Sequence, residues 1–470
     1  MKKGYALLLV GLVETGGPFI RMLMLSHALS LTELGFASAL SATIVTFEVI
    51  TDFALFRYVF SAPRAEYGDA LAAAHGLAVL RGLTVGGLLV LASPFIARIF
   101  DLGDRAFDFM LLGPVILLRG FDHLAPRIAE RDYRYAPQVK ATGLSYVFSL
   151  SALGIALRFS PTHVAFLVSL YVQIIVQVAM DHFVAGEKYR LAFLTPHFYR
   201  AFRFGYPLMF NGVGLALSSQ GDRFVVGALL GLPELAVYSI AILATSVPSQ
   251  LIGRVITTVT LAQLYNASSS NDGRYDARLR LFARLLPLVA AVFALGVLAL
   301  LNPLMPLVFG AKFVLSQPAT TLFALAIFFR LARGEPFGSM LLNQGWTKRL
   351  AAANLSSISA LVFATALLLV FHDFGAVMAG RLLGELTATA VTLFLTRELM
   401  RRARLDYFKG MAVGLLALGA VIPFGAVGVG VALIPSLAAA AAGFAVIVLW
   451  GLSFTPGLLE AGFTTFRFKA

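Results

Sequence analysis

Cysteine is absent from all 470 residues, which excludes disulfides, thiolate metal sites and cysteine nucleophiles. Charge is scarce as well. Asp, Glu, Lys and Arg together make up 13% of the chain, roughly half the quarter that soluble proteins carry. No Walker loop, no Gly-x-Ser-x-Gly elbow and no His/Asp/Glu cluster with metal-ligand spacing is found, so nucleotide-driven, serine-hydrolase and zinc chemistry have no support. His123 beside Asp122 reads as a buried polar contact. No resident cofactor is expected. Work done by this chain must draw on an ion gradient, the membrane potential or the gradient of its own substrate.

What is abundant is apolar sequence. With 59% hydrophobic residues and a mean hydropathy of +0.85, the chain reads as an all-α, polytopic membrane protein. The net charge of +13 does not indicate a nucleic-acid partner, because the basic residues are scattered in small groups between apolar runs and form no patch. Topology accounts for them. Windows of about 20 residues per crossing predict fourteen helices, near 4–28, 34–59, 75–98, 107–128, 139–159, 162–185, 203–230, 235–263, 280–308, 318–343, 350–371, 375–398, 409–430 and 432–453. If the N-terminus is cytoplasmic, 26 of the 37 Lys and Arg residues fall on inner segments or adjoining helix ends, and only Arg98, Arg105, Arg158 and Lys312 fall outside. Both termini are therefore expected in the cytoplasm. Met1-Lys2-Lys3 and the apolar run that follows through Glu14 and Arg21 to His27 read as a retained first helix.

The chain also repeats itself. Leu29, Leu31, Glu33, Leu34 and Ser38 recur as Leu230, Leu232, Glu234, Leu235 and Ser239 at a constant offset of 201, and Arg21 precedes the first copy as Arg223 precedes the second. Tyr67 and Asp69 are echoed by Tyr275 and Asp276, and Leu91, Pro94 and Phe100 by Leu300, Pro303 and Phe309. Six helices separate the copies, an even number, so the copies share orientation and are expected to be related by a pseudo-twofold axis along the membrane normal. The expected organisation is an N-terminal lobe over 1–200, a C-terminal lobe over 201–404, and two extra helices with a cytoplasmic tail over 405–470. Gly410 and Gly414 form a GxxxG pair that suits close helix approach.

Seven basic residues lie within the helices: Arg21, Arg119, Arg223, Arg254, Arg330, Arg333 and Arg381. A charge there costs roughly 2.5–3.5 kcal/mol on insertion scales, so it normally faces a protein cavity. Arg119 with Asp122, and Arg381 with Glu385, have the spacing of pairs along one helix. Arg21, Arg223, Arg254, Arg330 and Arg333 have no such neighbour and become the candidate anion-binding set. Interhelical bridges to acids of neighbouring helices are the competing reading. A guanidinium fork donates two hydrogen bonds to paired oxygens and keeps its charge, which suits phosphate. Glu48 and Asp52, at i and i+4, repel one another, and such a pair suits uptake of a proton or sodium ion during a transport cycle. Neutralisation of Asp52 by Arg57 is the alternative.

The segments Phe204-Gly-Tyr-Pro-Leu, Gly221-Asp-Arg-Phe-Val-Val-Gly-Ala-Leu-Leu-Gly, Leu235-Ala-Val-Tyr-Ser-Ile-Ala, Val247-Pro-Ser-Gln-Leu-Ile, Pro306-Leu-Val-Phe-Gly-Ala-Lys-Phe and Asn343-Gln-Gly-Trp-Thr-Lys resemble the Wzx-type flippases. These form the polysaccharide-transporter branch of the multidrug/oligosaccharidyl-lipid/polysaccharide exporter superfamily. The resemblance covers nearly the whole chain. It implies two six-helix lobes around a central cavity, alternating access, and movement of a polyprenyl-pyrophosphate-linked oligosaccharide to the outer leaflet of a bacterial cytoplasmic (inner) membrane. Cavity arginines in such flippases engage the pyrophosphate, and Arg21 and Arg254 occupy comparable places. Related lipid II flippases use two extra helices as a lipid-tail groove, an option for 409–453. The expected partners are the lipid-linked glycan, membrane lipids and a polysaccharide polymerase, with the protein a functional monomer and not an enzyme. A multidrug or cation antiporter of the same superfamily is the alternative, which cavity arginines disfavour by repelling a cation. A membrane-embedded glycan polymerase or ligase would place catalytic groups on sizeable outer loops, and the outer connections here are short.

Overall fold

In the computed structural model the described residues are 3–268, 274–334, 337–426, 438, 441–445 and 447, and helix is the only regular structure among them. Contacts gather the chain into two compact units, Met1–Ser239 and Ile240–Ala470. The first holds α1 (Lys3–Ala28), α2 (Leu31–Ile50), α3 (Leu55–Ser61), α4 (Tyr67–Ile99), α5 (Ala106–Met110), α6 (Leu112–Arg119), α7 (Ala125–Ile128), α8 (Ala136–Phe159), α9 (His163–Val184) and α10 (Pro196–Leu229). The long α11 (Leu232–Ser268) begins in the first unit and runs into the second. There follow α12 (Arg274–Phe309), α13 (Gln317–Gly334), α14 (Phe337–Asn343), α15 (Thr347–Leu355), α16 (Ser359–Phe371), α17 (Phe374–Leu395) and α18 (Arg404–Ala426).

Every helical window expected up to residue 430 holds helix, and the window at 432–453 falls largely outside the described residues. Nine helical segments among those described are long and apolar enough to cross a membrane. The chain is a multi-pass membrane protein. Large apolar side chains such as Leu91, Phe95 and Phe159 stand exposed along these helices, as lipid-facing residues do where no water competes.

Several windows are broken, and the reasons are local. The expected helix 34–59 stops at Ile50 and restarts at Leu55, with Ala54 left-handed at φ 48° and the Asp52 carboxylate accepting the Ala54 N–H at 2.8 Å. The window 107–128 is divided into α5, α6 and α7 around Leu111 and the 120–124 segment. Helix starts carry polar caps where one is needed: Ser30, Thr195 and Asp373 accept the backbone N–H of Glu33, Phe198 and Ala376 at 3.2, 3.2 and 2.7 Å. Such caps satisfy backbone donors that lipid cannot.

Close helix approach is built with glycine. At Gly212 a Cβ would sit 2.4 Å from the Val49 carbonyl oxygen, so α10 and α2 run nearly backbone to backbone in the first unit. In the second unit a Cβ at Gly410 would sit 2.4 Å from the Arg284 carbonyl oxygen, and one at Gly414 would meet Phe328 and Ala291. The GxxxG pair thus seats α18 against α12. The first of these junctions forms one wall of the cavity that follows.

Candidate functional site

The break between α2 and α3 opens a cavity of about 450 Å³ inside the first unit. Its walls come from the end of α2, from α3, α4, α6 and the 120–127 segment, and from Leu208, Gly212 and Leu215 on α10. Seven charged side chains line it: Glu48, Asp52, Arg57, Arg81, Arg119, Asp122 and Arg127. Four cations against three carboxylates leave one positive charge in excess.

Two of these arginines are committed. Arg81 on α4 donates from Nε to Thr51 Oγ1 at 3.2 Å and from a terminal nitrogen to the Glu48 carbonyl at 3.1 Å. It thereby caps the C-terminus of α2, where free carbonyls and the helix dipole favour a cation. Arg119 closes α6 and forms a 2.8 Å ion pair with Glu48. The other two stand where the cavity opens. Arg127 lies over the Phe56 ring at 4.1 Å and Arg57 over the same ring at 5.6 Å, and neither reaches a described carboxylate within 4.0 Å. Two exposed guanidinium groups of the cavity lining thus share one aromatic ring by cation–π contact.

The charges pair differently from the spacing read along single helices. Arg119 takes Glu48 from another helix, and Asp122 keeps a buried Oδ1 with no hydrogen-bond partner. Glu385 is taken by Arg333 at 3.0 Å, while Arg381 lies over the Phe323 ring at 5.8 Å. Glu48 and Asp52 do not share a continuous helix, because α2 ends between them; Glu48 pairs with Arg119 and Asp52 caps the turn into α3. Helical spacing is only a first approximation in a bundle, since a long arginine side chain reaches the neighbouring helix as easily as the next turn of its own.

Arg21, on α1, is 8% exposed. Its guanidinium donates to Ser149 Oγ at 3.0 Å and to Gln173 Oε1, with Tyr146 and Phe166 rings at 5.8 and 5.9 Å. Ser149 in turn bonds Ser169. All these acceptors are neutral, and Nε has no partner, so this cation is held without a countercharge among the described residues. Arg119 and Arg21 share Tyr146 as an electrostatic neighbour, which places Arg21 close behind the cavity.

Arg223, Arg330 and Arg333 are not among the residues that line this cavity. Arg223 on α10 donates to Gln220 Oε1 at 3.1 Å, and the adjacent Asp222 carboxylate accepts the Arg223 backbone N–H at 3.0 Å on one oxygen and the Tyr238 hydroxyl on the other. The side chain of Arg254 lies outside the described residues. Arg330 is exposed on α13, and Arg333 on the same helix is engaged by Glu385, with both partners nearly buried. Arg21 and Arg223 belong to the first unit, Arg330 and Arg333 to the second. Sequence reasoning missed Arg57, Arg81 and Arg127 as cavity residues because each was counted toward topology, although Arg81 lies in the middle of α4. The available signal was Glu48, Asp52 and Asp122, three acids whose burial in neighbouring helices demands cations from nearby.

A family model described as polysaccharide biosynthesis protein matches residues 24–318. The teichuronic acid biosynthesis protein TuaB of Bacillus subtilis (strain 168) is 22% identical over 335 residues, 69% of this chain and 67% of that protein. Among solved structures, the lipid II flippase MurJ in an inward closed conformation superposes with a TM-score of 0.70 at 13% identity, covering 96% of this chain and 98% of its own. An inward-facing multidrug resistance MATE family transporter of the MOP superfamily gives 0.57 at 15% identity, covering 86% and 95%. At these identities the likeness establishes the fold, which is that of the MurJ and MATE transporters.

Proposed function

Because the chain belongs to the polysaccharide biosynthesis protein family, we propose that it is a flippase that moves a polyprenyl-pyrophosphate-linked oligosaccharide from the cytoplasmic to the outer leaflet of a bacterial cytoplasmic membrane. It works by alternating access, with both termini inside, and supplies surface polysaccharide assembly, where a polysaccharide polymerase is the natural consumer. It is a transporter and makes or breaks no covalent bond of its cargo. The observation that carries the reading is a buried guanidinium, Arg21, held only by neutral acceptors beside an arginine-rich cavity in a fold shared with a lipid II flippase.

A cation in a low-dielectric site without its counterion favours an anionic guest, and a diphosphate offers paired oxygens to planar forks. Arg57 and Arg127 stand at the opening to receive that group, and Arg21 lies behind them. Arg223, Arg254 and Arg330 are proposed to take part as the headgroup moves. Arg333, already neutralised by Glu385, contributes to binding only if that pair opens. Glu48 and Asp52 are the candidates for coupling to a proton or sodium ion, Glu48 because a proton or sodium ion there would loosen Arg119.

The three carboxylates of the cavity and the likeness to a MATE transporter favour one other reading, export of a cationic compound. The excess of arginine opposes it. The deciding experiment reconstitutes the protein in liposomes with a fluorescent polyprenyl-pyrophosphate oligosaccharide and follows its exposure to an external quencher. Headgroup movement that is lost in Arg21→Ala and Arg57→Ala/Arg127→Ala supports the flippase. Unchanged movement in both variants, or transport of lipophilic cations in its place, overturns it.

A further inference from the structure

A second cavity, of about 360 Å³, lies at one end of the first unit. Three membrane-spanning segments have their ends around it: Arg64–Ile99 and Ala136–Phe159 start there and His163–Val184 finishes there, and Arg64, Pro137 and Val184 all belong to its lining. That places it where hydrocarbon gives way to headgroups. Its apolar wall is α7, through Ala125, Pro126 and Ile128, whereas Arg127 of the same short helix lines the arginine-rich cavity. The two cavities are thus separated by α7.

Five charged side chains line this second cavity: Arg64, Arg131, Asp132, Arg134 and Glu187. Tyr133, left-handed at φ 57°, ends the turn Ala129–Asp132, so that the residues on either side of it, Asp132 and Arg134, both reach the lining. Arg64 meets Asp132 at 3.5 Å with both side chains well exposed, an ion pair that holds neither tightly. Arg131 gives one terminal nitrogen to the Ala62 carbonyl at 3.0 Å and keeps its remaining donors. The Tyr67 hydroxyl bonds the Glu187 carboxylate. Arg134 is exposed, and its side chain makes no hydrogen bond or ion pair among the described residues. Three guanidinium groups against two carboxylates leave one positive charge, the complement of a phosphodiester, while the carboxylates accept hydroxyls and repel a second negative charge.

We propose that this cavity binds the headgroup of a glycerophospholipid whose phosphodiester carries a hydroxylated arm. Arg134 and Arg131 take the phosphate oxygens, and Asp132 and Glu187 accept from the hydroxyls. Soluble phosphodiesters share that chemistry, and the surroundings decide for the lipid. Phe183, 83% exposed, adjoins Val184 of the lining, and Ile175 stands exposed about two turns back along α9. Leu144, Phe148 and Ile155 stand exposed at helical spacing on α8, which begins at the cavity. Acyl chains leaving a headgroup held here lie along these side chains. A lipid so seated also packs behind α7, and so bears on where Arg127 stands in the other cavity. Binding rests on the second cavity alone; only the assignment of the lipid to the cytoplasmic leaflet rests on the topology proposed above.

The test is native mass spectrometry of the purified protein released from detergent, titrated with phosphatidylglycerol, with phosphatidylmethanol, which has the same charge and no headgroup hydroxyl, and with phosphatidylcholine. The wild type is expected to retain phosphatidylglycerol most strongly. Arg134→Gln, at an exposed position whose side chain holds nothing else, should weaken that retention about tenfold, the worth of one charge-assisted hydrogen bond, and leave phosphatidylcholine adducts unmoved. Asp132→Asn/Glu187→Gln should bring phosphatidylglycerol and phosphatidylmethanol level. Equal retention of the three lipids by the wild type, undiminished phosphatidylglycerol in Arg134→Gln, or a hydroxyl preference that survives the double variant overturns the proposal. So does soluble glycerophosphoglycerol bound as tightly as the lipid, which would make the occupant a soluble phosphodiester. Lipid retained by a protein that moves no glycan lipid refutes the flippase reading and leaves this site standing; glycan movement without retention does the opposite.

Discussion

Arg21 and Arg333 are both nearly buried arginines in membrane helices, yet the same substitution should affect them in opposite ways. Arg333→Met leaves Glu385, 6% exposed, without its 3.0 Å partner, and an uncompensated buried charge of this kind costs about 3–5 kcal/mol. Arg21→Met removes a charge that has no countercharge among the described residues. The insertion cost relieved is about 2.5–3.5 kcal/mol, and it is set against two charge-assisted hydrogen bonds of about 1.5–3 kcal/mol each. Ser149 keeps Ser169 afterwards, so only Gln173 is left short of a partner. At their midpoints these contributions leave Arg21→Met destabilised by about 1.5 kcal/mol, well short of Arg333→Met, and packing of methionine against Tyr146 and Phe166 narrows the loss. Equilibrium unfolding by SDS in mixed micelles measures both variants, and the liposome assay reports glycan movement per folded molecule. Arg21→Met should be folded and inactive, while Arg333→Met should be destabilised with activity falling in proportion to folded protein. Equal destabilisation of the two, or full transport by Arg21→Met, would refute the argument that Arg21 is kept for its charge.

Arg333→Met combined with Glu385→Leu should recover most of the stability lost by Arg333→Met alone, because no buried charge is then orphaned; a double variant as unstable as the sum of the singles would show that packing, not charge, was lost. Glu48→Gln should destabilise by only about 1 kcal/mol, since its pair with Arg119 is part-exposed, and should change the pH dependence of transport if Glu48 couples it; an unaltered pH profile removes it from that role. Gly212→Leu should cut the yield of monodisperse protein sharply, because its Cβ would meet the Val49 carbonyl at 2.4 Å and backbone cannot yield as a side chain does; wild-type yield would show the α2–α10 junction to be loose. Asp373→Ala should cost about 1 kcal/mol through loss of the N-cap bond to Ala376, read in the same SDS titration, with glycan movement unaffected.

Apolar run length was enough to place the helices, because a lipid-facing segment must satisfy its backbone internally and about 20 residues are needed to cross. Breaks in those runs were harder to read. The stop at Ile50 depends on Ala54 adopting a left-handed backbone and on Asp52 capping it, neither of which an alanine or a lone aspartate announces. Arg21 was legible as a cation with no acid within a turn. Its neutral acceptors, Ser149 and Gln173, lie 128 and 152 residues away and leave no local trace. Arg119 remains the chief attractive charge on Asp122 but makes its close ion pair with Glu48, and Glu385 goes to Arg333, because the reach of arginine exceeds the separation of adjacent helices.

The pairing that replaced those assignments bears on how the cavity could work. An ion pair formed along one helix moves as a unit with that helix and stores nothing when helices shift. Glu48–Arg119 joins α2 to α6, and Arg81 ties α4 to the end of α2, so any motion that separates these helices must break charge contacts or exchange them for others. A diphosphate entering past Arg57 and Arg127 supplies the exchange, offering Arg119 oxygen acceptors of the same charge as the Glu48 it gives up. Glu48 would then face the cavity without its ion-pair partner, and a proton is the remedy. Cargo binding and protonation would in that case favour one another without direct contact, each making the other's displaced partner tolerable. That reciprocity is measurable: glycan-lipid affinity should rise as pH falls, and bound glycan lipid should drive proton uptake to the same extent, an effect that Glu48→Gln removes, because linkage between two binding equilibria has to be equal in both directions.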